Sequence, residues 1–241
     1  MKPDVLVTDF SGVYEQEGFL SYLCDTGTPF HRVDLRGLEG TSCYCSPESE
    51  EEIRCRTAPW KSAGIRWIDS GDYHYLTKIL AGGEKEPFTL VLIDNHPDDQ
   101  EPSFGGVLSC GSWVKDLRES SPMLEDVWTL GPEHRIRNAS AAVDRELEEG
   151  IDDLLAALEG KRVYLSVDKD VLCRIDARTD WDQGSYRLSQ LKGWLDGLLT
   201  LDVIAVDLCG ECPEAKGATP EDLMINLETN IELHKLLCQN L

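Results

Sequence analysis

The sequence predicts an α/β fold built on a mainly parallel sheet. Three observations carry that reading. Short apolar runs recur without the polar alternation of a half-exposed strand, as expected where both faces are covered. Segments with helical spacing lie between them, and strand–helix alternation is the pattern of a parallel sheet with crossover helices. The 241 residues suffice for a large core in one α/β unit.

The elements follow in order. Strands are expected at 4–10 (DVLVTDF), 64–70 (GIRWIDS), 89–95 (TLVLIDN), 126–131 (DVWTLG), 162–168 (RVYLSVD) and 201–208 (LDVIAVDL). Helices are expected at 72–81, 111–119, 139–160, 186–200 and 219–238. The third has apolar spacing near 3.6 and ends on Gly160; the last opens with Thr219 as N-cap and Pro220 in the first turn. Residues 25–60, rich in Gly, Cys and Glu, read as an irregular insertion, with a helix start at Ser46-Pro47 ahead of Glu48 to Glu52. No repeat or linker interrupts the chain, so a single domain spanning 1–241 is expected.

Composition narrows the function classes. A net charge of −22 argues against nucleic acid, which requires a basic stripe. No apolar run spans a bilayer, and the N-terminus lacks a signal-peptide pattern because Asp9 breaks its apolar run. The expectation is a cytoplasmic protein that binds no membrane. Nine cysteines cannot all pair within one chain and are read as mostly reduced. Neither Cys43, Cys45 and Cys55 nor Cys209 and Cys212 has a second Cys/His pair at zinc-finger spacing.

The chemistry gathers where the strands end, the edge at which parallel sheets build their sites. Strand 64–70 leads into Gly71-Asp72-Tyr73-His74, strand 89–95 into Asp94-Asn95-His96-Pro97-Asp98, strand 162–168 carries Asp168-Lys169-Asp170 at its end, and strand 201–208 leads into Asp207 and Glu211. Residues i and i+2 of an extended chain share a face, so Asp168 and Asp170 can meet one site while Lys169 points away. Asp94 and His96 share a face likewise, and a turn at Pro97 would return Asp98. Four carboxylates and two neutral imidazoles carry four negative charges, which two divalent cations would neutralise; without them the set would resist ionisation. Oxygen-rich donors disfavour thiolate-type zinc, and two imidazoles disfavour magnesium, which puts manganese first.

These residues resemble the arginase and agmatinase (ureohydrolase) family over roughly 64–212. The resemblance implies a three-layer αβα sandwich around the parallel sheet and two Mn2+ ions. One would be held by His74, Asp94, Asp98 and Asp168, the other by Asp94, His96, Asp168 and Asp170, with Asp94 and Asp168 bridging. It also implies hydrolysis of a C–N bond in a guanidino compound by a metal-bridging hydroxide, releasing urea or a related product. The substrate would be a small cationic guanidino compound, or the guanidino group of a peptide, drawn by an acidic mouth. Family members are often trimers or hexamers, so a homo-oligomer is part of the expectation.

The chain departs from the family pattern in several places. Tyr73 is an extra residue before His74, and Cys173-Arg174 replaces the usual Asp-Pro after the third motif. No histidine follows the second motif at the place of the family's proton shuttle; His134 is the first stand-in, His31 a weaker one, and Cys110 a chemical alternative. An acid orienting the guanidinium would be Glu211 or, second, Asp207, since direct overlay places Ala205 there. Gln100 and Ser112 are placed to help recognise substrate, and Asp182 in TDWDQG would contact it from the rim or serve the turn. Alternative readings are a deacetylase- or formiminoglutamase-like amidohydrolase, or a non-catalytic metal-binding protein of the same fold.

Overall fold

In the computed structural model, which describes residues 3–103, 105–147 and 150–241, a nine-stranded sheet runs through the molecule. Its strands are β1 (Val5–Asp9), β2 (Phe30–Asp34), β4 (Ile65–Ser70), β5 (Phe88–Ile93), β7 (Leu124–Leu130), β8 (Arg135–Asn138), β9 (Val143–Glu146), β10 (Arg162–Asp168) and β11 (Asp202–Glu211). A two-stranded ribbon joins β3 (Tyr44–Cys45) to β6 (Leu108–Ser109). The helices are α1 (Val13–Gln16), α2 (Phe19–Asp25), α3 (Pro47–Thr57), α4 (Leu76–Ala81), α5 (Trp113–Ser120), α6 (Asp152–Leu158), α7 (Leu188–Leu198) and α8 (Pro220–Asn240). The sheet order is β2-β1-β4-β11-β10-β5-β7-β8-β9, parallel as far as β7 and antiparallel at the β7–β8–β9 edge.

Two apolar clusters flank the sheet and follow the period-2 rule. Val91, Ile93, Leu165, Val167, Val206 and Leu208 pack against α1, α2, α6, α7 and α8. Leu90, Leu92, Tyr164, Ala205 and Cys209 face α3, α4 and α5. The expected αβα sandwich is therefore present, and all six expected strands form within a few residues of their predicted bounds. The capping signals also hold. Ser46 accepts from the Ser49 amide with Pro47 in the first turn of α3, and Thr219 and Asp222 cap α8 reciprocally.

Two stretches differ from expectation. Residues 25–60 are not simply irregular, since they supply edge strand β2 and helix α3. The helix expected over 139–160 forms only at Asp152–Leu158, while its first part becomes the β8–β9 hairpin; Glu148 and Glu149 of that stretch lie outside the described residues. The Asn138 side chain explains the change. Its amide bonds Val127 O and Asp126 and its carbonyl accepts from the Ala141 amide, fixing a turn that lets β8 and β9 cover the edge of β7.

Candidate metal centre

The side-chain parity of the sheet decides which groups converge. Leu90 and Leu92 face α3–α5, so Asp94 follows them onto that face; Tyr164 and Ser166 carry Asp168 the same way. After β5, the turn through Pro97 places Asp98 in the left-handed region, φ 49°, a conformation Asp tolerates better than most residues. After β4, a single 3₁₀ turn at Gly71–Tyr73 absorbs the extra residue. Tyr73 stacks on Phe10, and His74 is delivered to the site. At Gly131 (φ +123°) a Cβ would stand 2.0 Å from the Asp94 carbonyl, so the backbone beneath the second motif requires glycine there.

The six residues expected as metal ligands meet at the floor of a cavity of ≈ 310 Å³. His74 Nδ1 lies 3.0, 3.2 and 3.5 Å from carboxylate oxygens of Asp98, Asp94 and Asp168. His96 Nδ1 lies 2.8 Å from Asp170 and 3.6 Å from Asp94. His74, Asp94 and Asp98 form one group with ligand atoms within 4.8 Å of each other, and Asp94, His96 and Asp170 form a second. Asp94 belongs to both, as a bridging residue must. All four carboxylates are buried, and among the described residues neither lysine nor arginine pairs with any of them.

The electrostatics reflect that imbalance. Burial and neighbouring carboxylates push Asp168 and Asp170 above the ordinary range, and burial raises Asp98 to about 6. Hydrogen bonds to Asp170 and Asp94 raise His96 to about 11. Burial opposes a charge on His74, yet the surrounding Cys209, Asp94 and Asp98 outweigh it and raise its pKa well above the usual value. Protons on the imidazoles thus partly neutralise a set of acids that divalent cations would neutralise fully. The donor set fits such ions: oxygens and imidazole nitrogens, buried and without cationic side chains.

The supporting contacts orient these groups. His74 Nε2 is 2.8 Å from Ser166 Oγ, which leaves Nδ1 facing the carboxylates. Trp113 Nε1 donates to Asp98 at 2.6 Å, and the Asn95 amide donates to Asp170 at 3.0 Å. The mouth carries Tyr44 and Trp181, with Gln100 and Cys110 on the wall.

The other expected residues fall into two sets. Gln100 lines the cavity, and Asp182 stands at the rim with Oδ1 3.2 Å from His96 Nε2. Ser112 is buried and holds the turn before α5 through Ser109, so it does not line the cavity. His134 lies after β7, against Tyr186 and Ser185, away from the cavity wall. His31 stacks on Trp60 beside β2. Asp207 is enclosed below the site floor, accepting from Tyr164 at 2.8 Å and facing Arg66 at 3.5 Å. Glu211 is on the opposite face of the sheet, paired with Lys169 and Asn230. The reason is local: the β4–β11 register shifts between Cys209 and Glu211, and Gly210 (φ +92°) turns the following residue to the other side.

Sequence reasoning missed Cys209, whose thiol donates to Asp168 at 3.1 Å. It also missed the roles of Ser166, Trp113 and Trp181. The one signal for Cys209 was its i+2 spacing from Asp207 on a site-facing strand, which is informative only once the register with Asp168 is known.

With this geometry in place, known proteins can be compared. No family model matches the chain. An uncharacterized protein of Thermotoga maritima is 29% identical over 211 residues, 87% of this chain and 80% of that protein. Among solved structures, proclavaminate amidino hydrolase from Streptomyces clavuligerus superposes with a TM-score of 0.70 at 16% identity, covering 100% of this chain and 92% of that one. Its fold is that of the arginase (ureohydrolase) family. Formimidoylglutamase from Bacillus subtilis (TM-score 0.69, 15% identity, 99% and 87% covered) and arginase from Bacillus caldovelox (0.67, 13%, 98% of both) share the ureohydrolase architecture. At such identities the likeness is one of fold, and the site must speak for the chemistry.

Proposed function

We propose that the protein is a hydrolase of a guanidino (amidino) compound that works with two divalent cations, manganese first among them. The observation that carries this reading is the set of four buried carboxylates and two imidazoles with neither lysine nor arginine to balance them among the described residues. Two cations, when bound, supply a nucleophilic water at neutral pH and stabilise developing charge. Ser166 holds the His74 tautomer that presents Nδ1, and Asp182 does the same for His96 by accepting from Nε2. Trp113 fixes Asp98. A planar cationic guanidino group, on a small molecule or a peptide, suits a cavity with no lysine or arginine in its lining and with Tyr44 and Trp181 at the mouth.

A second reading, metal binding without turnover, is favoured by one specific observation. Every carboxylate and imidazole in the cavity lining belongs to the six ligand candidates, which leaves none there to orient a guanidinium or shuttle a proton. One experiment separates the two. The chelator-stripped, manganese-reloaded protein is incubated with a panel of guanidino compounds, and urea, formamide and acetate are measured. Urea release supports the amidino hydrolase; formamide or acetate redirects it to a related amidohydrolase. No turnover across the panel with both ions bound supports the binding protein.

A further inference from the structure

We propose that Cys209 is a thiolate ligand of the inner metal ion, the one held by His74 and Asp168, so that the two metal positions differ in chemical softness. The inference rests on the two-metal reading above and adds a donor to it. Cys209 Sγ, a ring nitrogen of His74 and a carboxylate oxygen of Asp168 lie within 4.8 Å of one another, the separation of atoms that share one ion. All three residues are buried, at 1%, 1% and 3% exposure.

The strand geometry puts the sulfur there. Cys209 stands opposite Asp168 in the β10–β11 register, two residues beyond Asp207 on the same face. At the next residue the backbone closes against the site: a Cβ on Gly210 would lie 2.3 Å from Asp168 Oδ1 and 2.7 Å from the Lys169 amide nitrogen. The β11 backbone thus lies close against Asp168 at the residue next to the buried Cys209. The Cys209 thiol donates to Asp168, one of the proposed metal ligands. When an ion binds, the S–H proton leaves to solvent, a sulfur–metal bond forms, and the Asp168 oxygen turns to the same ion.

The consequence is asymmetry. The outer group of Asp94, His96 and Asp170 offers only oxygen and nitrogen. Thiolate in the inner group shifts preference toward zinc, cobalt or iron over manganese. Two cysteines that line the cavity serve as internal controls. Cys43 donates to Asp72 rather than to a metal-site carboxylate, and Cys110 lies on the wall; neither belongs to a ligand group among the described residues.

Cobalt(II) titration of the chelator-stripped full chain tests the assignment by absorption rather than by activity. The expected result is two cobalt ions per chain and a near-ultraviolet sulfur-to-cobalt charge-transfer band. That band is lost in Cys209→Ser and kept in Cys43→Ser and Cys110→Ser, and affinity for one of the two ions falls about tenfold or more in Cys209→Ser. X-ray absorption of the zinc-loaded wild type needs no variant and should detect a sulfur neighbour at about 2.3 Å. Two bound cobalt ions without the band, a band that survives Cys209→Ser, or a zinc shell without sulfur overturns the thiolate and leaves the two-metal reading standing. Absence of cobalt binding overturns both.

Discussion

The end of β10 and the 3₁₀ turn that follows it carry buried charge on both faces of the sheet, and the two faces handle it in opposite ways. Toward α8, Lys169 meets Glu211 and donates to Asn230, whose amide reaches Glu211 and Glu17. Burial and the Glu211 charge raise Glu17 well above the usual range, and Lys169 is the cation that Glu211 meets. Toward α4 and α5, one residue away on either side, Asp168 and Asp170 join Asp94 and Asp98 with only imidazoles for company. Buried charge persists in a fold only when paired. On the first face a lysine stands against the acids, while on the second neither lysine nor arginine does so among the described residues. The metal site proposed above rests on that difference.

The comparison can be broken or sharpened by substitution. The largest effect belongs to the closed face: Lys169→Met strands Glu211 and should cost about 3–5 kcal/mol of stability, read by denaturant unfolding. Adding Glu211→Gln to that variant should recover a large part of the loss. If the double variant is no better than the single one, the pair is not the closed unit described here.

On the open face the expected effects depend on metal. Manganese at about a hundred times its dissociation constant should stabilise the wild type by roughly 2.7 kcal/mol for each ion bound, seen as a rise in Tm that a chelator reverses. The same addition should leave a folded Asp94→Ala variant nearly unmoved. A smaller effect is expected at Ser166→Ala, which removes the partner of His74 Nε2. Metal affinity should fall about 10- to 100-fold with the fold intact by circular dichroism. Unchanged affinity would mean that Ser166 does not set the orientation of His74.

The contrast also explains how much of the site is legible in the sequence. The ligand set was legible because each member lies at or within a few residues of a strand end: Asp94 and Asp168 take their face from the two-residue period, and short turns bring in His74, His96, Asp98 and Asp170. Asp94 with His96 and Asp168 with Asp170 need no register to be placed. Glu211 was not legible for the same reason inverted. The bulge at Gly210 reverses parity after Cys209, and a bulge is a property of two paired strands rather than of one. Cys209 depended on the β10–β11 register, and the β8–β9 hairpin on an edge that needed covering. In both cases the deciding partner is distant in sequence. His134 was chosen because it follows a strand, but β7 lies beyond β5 and its loop turns toward Tyr186, outside the cavity.

The most direct test of the account is the metal stoichiometry of the open face. Equilibrium dialysis of the chelator-stripped protein against manganese should give two ions per chain for the wild type and at most one for Asp168→Ala. Fewer than two ions in the wild type, or two retained by the variant, would contradict the proposal that this face is a two-ion site to which Asp168 contributes a ligand.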